Sequence, residues 1–266
     1  MQTLRLYFIL SSAALRSELQ YRLNCVLLML MGLIWQGTGF AFIWLVLSQS
    51  HLLGGWSLSE IAFLYGFRLI VHACSVLIFG LFQRVEDIIR RGDFDRFLVR
   101  PVAPFLQVIT YKFSISSCGD LLGGLSIFLV SSVMLHFHWH PFTFMYLLLM
   151  LIGGCLIETA IKLAASAFTF RTLSSWQVVS FFENSMDIAA SYPFTIYNTL
   201  TSFLLTFVLP LAFIAYLPVT VLLGRSQELA ISPLFAYLTP AFGLILFLLA
   251  YALFEYERKQ YQSAGH

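Results

Sequence analysis

Arg68, Asp120, Glu158 and Lys162 stand well inside long apolar runs of this sequence. An ionised side chain at the centre of a bilayer costs about 2.5–3.5 kcal/mol on insertion scales, so each must be paired or face a polar passage. Glu158 and Lys162 are spaced i,i+4 with the acid first, the arrangement in which two helical side chains meet. They read either as a self-satisfied ion pair that fixes helix packing or as part of a translocation path. Arg68 and Asp120 lie near the middle of different runs, and an interhelical pair between them is one way to satisfy both. Lys112 is placed to snorkel to an interface.

Nine of the remaining charged residues are gathered in residues 83–105, QRVEDIIRRGDFDRFLVRPVAPF. Arg84, Glu86, Asp87, Arg90, Arg91, Asp93, Asp95, Arg96 and Arg100 interleave with Ile88, Ile89, Phe94, Phe97 and Leu98. The pattern predicts a short amphipathic helix, a break at Gly92 and a second turn ending at Pro101. A loop that only followed the charge bias of membrane topology would need the arginines, but neither the four acids nor the apolar residues between them. Mixed charge around apolar anchors is the chemistry of a surface that docks a protein. Phe94 and Leu98, spaced i,i+4, are expected to share a face and fill an apolar cleft on that partner. Asp93, Asp95 and Arg100 would then make rim contacts.

Other chemistries find less support. His136, His138 and His140 fall in the turn LHFHWHP with no thiol or carboxylate beside them, and read as a polar interfacial turn with Trp139 as a belt residue. Cys25, Cys74, Cys118 and Cys155 sit in separate apolar stretches and read as small buried hydrophobes. There is no HExxH, no GxSxG and no GxxxxGK[ST] phosphate loop. The chain is therefore expected to be no enzyme and to hold no metal or cofactor of its own. A net charge of +2 gives no argument for nucleic acid.

The elements that must position these residues follow from composition. With 59% hydrophobic and 11% charged residues and a mean hydropathy of +0.85, the chain cannot cover a water-facing surface, and lipid must replace water over most of it. A bilayer core of about 30 Å needs about 20 helical residues. Six runs meet that length: 24–48, 58–82, 108–135, 142–170, 197–223 and 233–254. They are continuous rather than alternating, so the fold class is all-α integral membrane and not a barrel. Gly119 and Gly123 form a GxxxG in the third run, a pattern that permits close helix approach. Residues 173–195, with Glu183 and Asp187 on one helical face, are too polar for a lipid-facing span. They suit a surface helix or one packed inside the bundle, ended by Pro193. Residues 1–23 read as an amphipathic helix on the membrane surface and not as a cleavable signal. Eleven Lys and Arg flank the runs on one side and only Arg225 on the other, which places both termini and the 83–105 loop in the cytoplasm. One domain, 1–266, is expected.

Two stretches carry a resemblance. Gly92-Asp93-Phe94-Asp95 followed by Phe97-Leu98-Val99-Arg100-Pro101 resembles the G-[DE]-x-D-x-x-L-x-[RK]-P signature of permease subunits of ABC-2 type ATP-binding-cassette transporters. Tyr192-Pro193, Tyr197 and the run from Pro210 to Pro218 resemble a second stretch of the same permeases, with Leu209 where Ile is usual. The resemblance implies a permease subunit of an ATP-driven exporter in the cell (inner) membrane. Two such subunits, identical or paired with a sister permease, would sit on two cytoplasmic ATPases that bind ATP and Mg. It implies that loop 83–105 is the coupling helix, with Arg84, Glu86, Asp87, Arg90, Arg91, Gly92, Asp93, Phe94, Asp95, Leu98, Arg100 and Pro101 as coupling residues. A membrane scaffold without transport and an intramembrane enzyme acting on lipid are the rival readings.

Overall fold

Long apolar runs in lipid become helices because each backbone polar group must find its partner within its own segment. The computed structural model describes residues 2–50, 52–82, 84–172, 176–229 and 231–262. Met1, Gln83, 173–175 and His266, which belong to the expected domain, coupling loop and polar segment, lie outside the described residues. Among the described residues there is no strand beyond one isolated bridge between Leu53 and Trp56.

The helices are α1 (Gln2–Leu19), α2 (Arg22–Ser50), α3 (Leu58–Phe79), α4 (Arg84–Arg90), α5 (Asp93–Val99), α6 (Pro104–Ile109) and α7 (Ser116–Met134). Then come α8 (Pro141–Ala167), α9 (Thr169–Thr172), α10 (Trp176–Ala189), α11 (Thr199–Phe203), α12 (Tyr216–Leu222), α13 (Leu234–Tyr237) and α14 (Thr239–Lys259). Among the described residues, five helices are long and apolar enough to cross a membrane: Arg22–Gln49, Leu58–Phe79, Ser116–Met134, Pro141–Thr172 and Thr239–Lys259. α3 is the most enclosed of them. It opens on a capping box: Ser57 Oγ accepts from Glu60 N at 3.4 Å, and Glu60 Oε2 accepts from Ser57 N at 2.8 Å.

The helices close on small residues. Gly119 of α7 lies against the Met29 carbonyl of α2, so close that a Cβ has no room there. Gly243 of α14 faces α8, where an added Cβ would sit 2.6 Å from the Gly153 carbonyl. One apolar core gathers Phe63, Phe67, Phe128, Ile157 and Phe213. A second gathers Val85, Ile88, Ile89, Phe94 and Phe97 of α4 and α5 with Leu163, Phe170 and Phe254. The charged loop is thus packed on the ends of α8 and α14.

Three sequence expectations change. The third span begins at Ser116 and not at Val108, because Pro104 opens a separate short helix that ends at Ile109. Lys112 falls in the break between them, 3.4 Å from Glu18 of α1. The last span begins at Thr239, after the four-residue α13.

The run 197–223, expected to be the fifth crossing, is bent by 77° between Thr199–Val208 and Leu211–Leu222. Pro210 stands at the bend, where it has no N–H to continue a helix. Both ends of the bent pair are tied to the same end of the bundle: Thr195 Oγ1 donates to the Gly54 carbonyl at 2.8 Å, and Arg225 Nη2 donates to the Gly55 carbonyl at 2.8 Å. The pair enters and leaves on one side. The polar α10 makes the connection instead. Its Trp176 N–H bonds Glu86 of α4 at one end of the bundle, and the chain beyond it reaches Gly54 at the other.

Candidate functional site

The charged loop has an inner and an outer face. On α4, Val85, Glu86, Ile88 and Ile89 are buried, while Asp87, Arg90 and Arg91 point outward. Gly92, with φ +71°, turns the chain back in the left-handed region that a side chain would strain. On α5, Asp93 and Asp95 stand in the first turn, where carboxylates favour the helix dipole. Arg96 pairs with Asp93 at 3.4 Å. Gln107 seals the return of the loop, its amide donating to the Phe97 and Val102 carbonyls, both at 2.9 Å.

Phe94 and Leu98 do not share a face. Phe94 is fully buried, its ring 5.0 Å from that of Phe170 and 5.1 Å from that of Tyr261. The expectation that it fills a cleft on a partner is corrected: Phe94 holds the loop to its own bundle, because α5 packs over the ends of α8 and α14. Leu98 is exposed, and its neighbour Val99 is 83% exposed. Arg91, Arg96, Arg100 and Pro101 lie around them on the exposed surface. Val99 carries no role in the sequence reading, because it occupies a variable position of the motif that ends in Arg100-Pro101. Glu86, expected among the surface coupling residues, is turned inward.

At bundle depth the ionisable residues form a connected set. Arg68 of α3 is paired with Asp187 of α10. Glu158 Oε1 of α8 receives both Lys162 Nζ and His72 Nδ1, each at 2.6 Å. Lys162 Nζ also lies 3.6 Å from Glu183 Oε1 of α10. Arg68, Glu158 and Lys162 are buried, whereas the Asp187 side chain is 43% exposed. The expected Glu158–Lys162 pair is therefore present within a larger set. The suggested Arg68–Asp120 pair is not: Asp120 accepts from Gln36 Nε2 at 3.0 Å, and Tyr65 Oη donates to the Gln36 carbonyl at 3.1 Å. α7 and α10 meet α3 on different sides, and Arg68 points to α10. His72, Glu183 and Asp187 were the partners that sequence reading left unassigned. The i,i+4 spacing of the two acids was the signal that α10 presents one charged face to buried cations. Charge pairing of this kind sets the register of α3, α8 and α10 against one another.

The single basic residue of the opposite end is also accounted for. Arg225 reaches Glu60 Oε2 at 2.8 Å and Glu228 Oε1 at 2.7 Å, and its guanidinium lies 5.1 Å from the centre of the buried Trp56 ring. Trp56 Nε1 donates to Glu228 Oε2 at 2.8 Å.

The family model described as ABC-2 family transporter protein matches residues 33–265. The chain belongs to that family. The match takes in the charged loop, the buried ionic set and the bent pair of this ABC-2 family member, and leaves only α1 and the first turns of α2 outside it. No curated protein matches the chain, and no solved structure does. Membership makes it a multi-pass membrane protein of a family of ABC transporters, which as a class work with ATPase partners.

Proposed function

We propose that this chain is the permease subunit of an ATP-driven exporter, and that the outer face of the α4–α5 loop docks a separate cytoplasmic ATPase that binds ATP and Mg. The observation that carries the reading is the division of the loop into two faces. Phe94 and Phe97 fix one face in the core, and Leu98 and Val99 project from the other among Arg91, Arg96 and Arg100. An anchored loop with an exposed apolar tip and a charged rim can transmit a push, which a solvated loop cannot. The eleven-to-one distribution of basic residues puts this loop and both termini in the cytoplasm. The membrane is the cell (inner) membrane.

A second permease subunit, the same chain or a sister permease, completes the pathway above two ATPases. Support comes from α10, which leaves the Asn184 amide exposed between its ion-paired residues Glu183 and Asp187. Lipid does not satisfy such groups, and a neighbouring subunit or a water-filled path does. Co-purification from membranes tests the reading: the expected complex has two membrane chains and two ATPases, and Leu98→Asp with Val99→Asp should dissociate the ATPases. Transport in the absence of any ATPase, or a stable active complex with one membrane chain, would refute it. A membrane scaffold would bind partners but show no ATP-dependent movement of substrate.

A further inference from the structure

Glu86 is the acid of the α4–α5 loop that faces inward, and the structure gives it a particular task. Its Oε2 accepts the backbone N–H of Trp176, the first residue of α10, at 2.6 Å, while Oε1 accepts from Arg90 Nη1 at 3.1 Å. A carboxylate accepting a backbone N–H makes a charge-assisted hydrogen bond, stronger than a neutral one. Glu86 is buried, so the contact is shielded from the screening that weakens surface charge.

The other attachments of α10 make that contact matter. Its apolar contacts include the buried Val179, Met186 and Ala189, with Phe182 packed against the main core. It is also held by two ion pairs, Glu183 to Lys162 of α8 and Asp187 to Arg68 of α3. Helix rise puts these acids about 10 and about 16 Å along α10 from Trp176. α10 is therefore a strut with one end on the loop and the other on buried cations of two crossings. Between α3 and α4 the chain turns at Gly80, with φ +73°, and Phe79 at the end of α3 packs against the core that holds Val85 and Ile88.

We infer that Glu86 is the positioning residue through which displacement of the α4–α5 loop moves α10 against Arg68 and Lys162. This rests on the reading of that loop as the ATPase-docking element. Pulling Glu86 draws the first turn of α10 with it, and the pairs at Glu183 and Asp187 shift in register. No bond is made or broken apart from hydrogen bonds and ion pairs.

The test uses the full permease with its ATPase in lipid nanodiscs, and follows amide hydrogen exchange without nucleotide and with ATP and Mg. In the unaltered complex, ATP should change exchange both in α5 and in the first turns of α10. Glu86→Ala should speed exchange at the start of α10 by about tenfold or more, the effect of losing a charged hydrogen bond. It should also abolish the ATP-dependent change in α10 and leave that in α5. Trp176→Pro removes the same hydrogen bond from the other side, because proline has no N–H, and should reproduce the loss. Glu86→Gln keeps an acceptor oxygen and should retain most of the response, which separates the effect from misfolding. An α10 that answers ATP normally in both Glu86→Ala and Trp176→Pro overturns the inference. An unaltered complex in which α5 responds and α10 does not overturns it as well, with the docking reading intact. If the ATPase fails to bind the unaltered chain, the docking reading fails and this inference falls with it.

Discussion

Asp187 of α10 is the partner of Arg68 of α3, and the two are unequal in their surroundings: the arginine side chain is 3% exposed and the aspartate 43%. The buried member cannot be left alone, because an unpaired guanidinium in the bundle keeps its desolvation cost and loses the compensation. Arg68→Met removes the need for a partner, whereas Asp187→Ala creates an orphan. Asp187→Ala is expected to destabilise the fold by about 3 kcal/mol, the low end for a broken buried pair because the aspartate is partly solvated. The double variant Arg68→Met/Asp187→Ala should recover most of that loss. Denaturant unfolding in mixed micelles measures both, and a double variant no better than Asp187→Ala would contradict the pairing.

Within the α4–α5 loop, the two faces predict opposite phenotypes. Phe94→Ala empties a fully enclosed site between Phe170 and Tyr261 and should cost about 3–5 kcal/mol of stability. Leu98→Ala and Val99→Ala remove exposed side chains, so thermal stability should stay within about 0.5 kcal/mol. If they are docking anchors, ATPase affinity should instead fall by about 2 kcal/mol, or roughly thirtyfold. Thermal melting of the permease alone, set beside ATPase binding, separates the two. Loss of stability in the Leu98 variant, or unchanged ATPase binding in both exposed-residue variants, would reverse the assignment of faces.

The extent to which this could be read from sequence differs between the membrane and the loop. The crossings α2, α3, α7, α8 and α14 follow from apolar run length alone, since lipid leaves the backbone no alternative to a helix. The break at Gly92 followed from residue type. The place of α10 was not legible because hydropathy scores lipid exposure, and α10 satisfies its acids on Arg68 and Lys162 instead of facing lipid. The bent pair, apolar enough to resemble a span, turns back at Pro210, and only its contacts with Gly54 and Gly55 reveal that it does so. Phe94 and Leu98 were assigned one face from their i,i+4 spacing. That spacing brings two side chains near each other and does not say that both lie on the solvent side of a seven-residue helix lying flat on a core.

The bent pair gives a topological test. Thr195 and Ser226 flank it, and both should lie on the same side of the membrane as Gly55. After replacement of Cys25, Cys74, Cys118 and Cys155, single cysteines at Thr195, Ser226 and Arg171 can be labelled in intact cells with an impermeant maleimide. The first two should react from outside, and the third only after permeabilisation. Reaction of Ser226 but not Thr195 from outside would restore 197–223 as a crossing and remove that role from α10.

Arg225 closes the Gly54–Gly55 end of the bundle and should not tolerate lysine. Its planar fork serves several acceptors at once: Nε and Nη2 on Glu228, Nη1 on Glu60 and Nη2 on the Gly55 carbonyl, with the guanidinium over Trp56. A lysine ammonium is a point charge that cannot span these acceptors or stack in the same way. The side chains of Arg225, Glu60 and Glu228 are 21–29% exposed, so solvent lowers the worth of each ion pair well below that of a buried one. Their sum is expected to be about 1–2 kcal/mol, acting on the turn rather than on the whole fold. Arg225→Ala should therefore raise hydrogen exchange in residues 53–57 and 224–229 by about tenfold while global unfolding moves little. Arg225→Lys should recover less than half of the lost protection. Adding Glu228→Gln to Arg225→Ala should restore part of it, since it removes one of two carboxylates left facing each other without their cation while keeping an oxygen for Trp56 Nε1. Full protection in Arg225→Lys would mean that charge alone holds this end, and that the fork geometry is incidental.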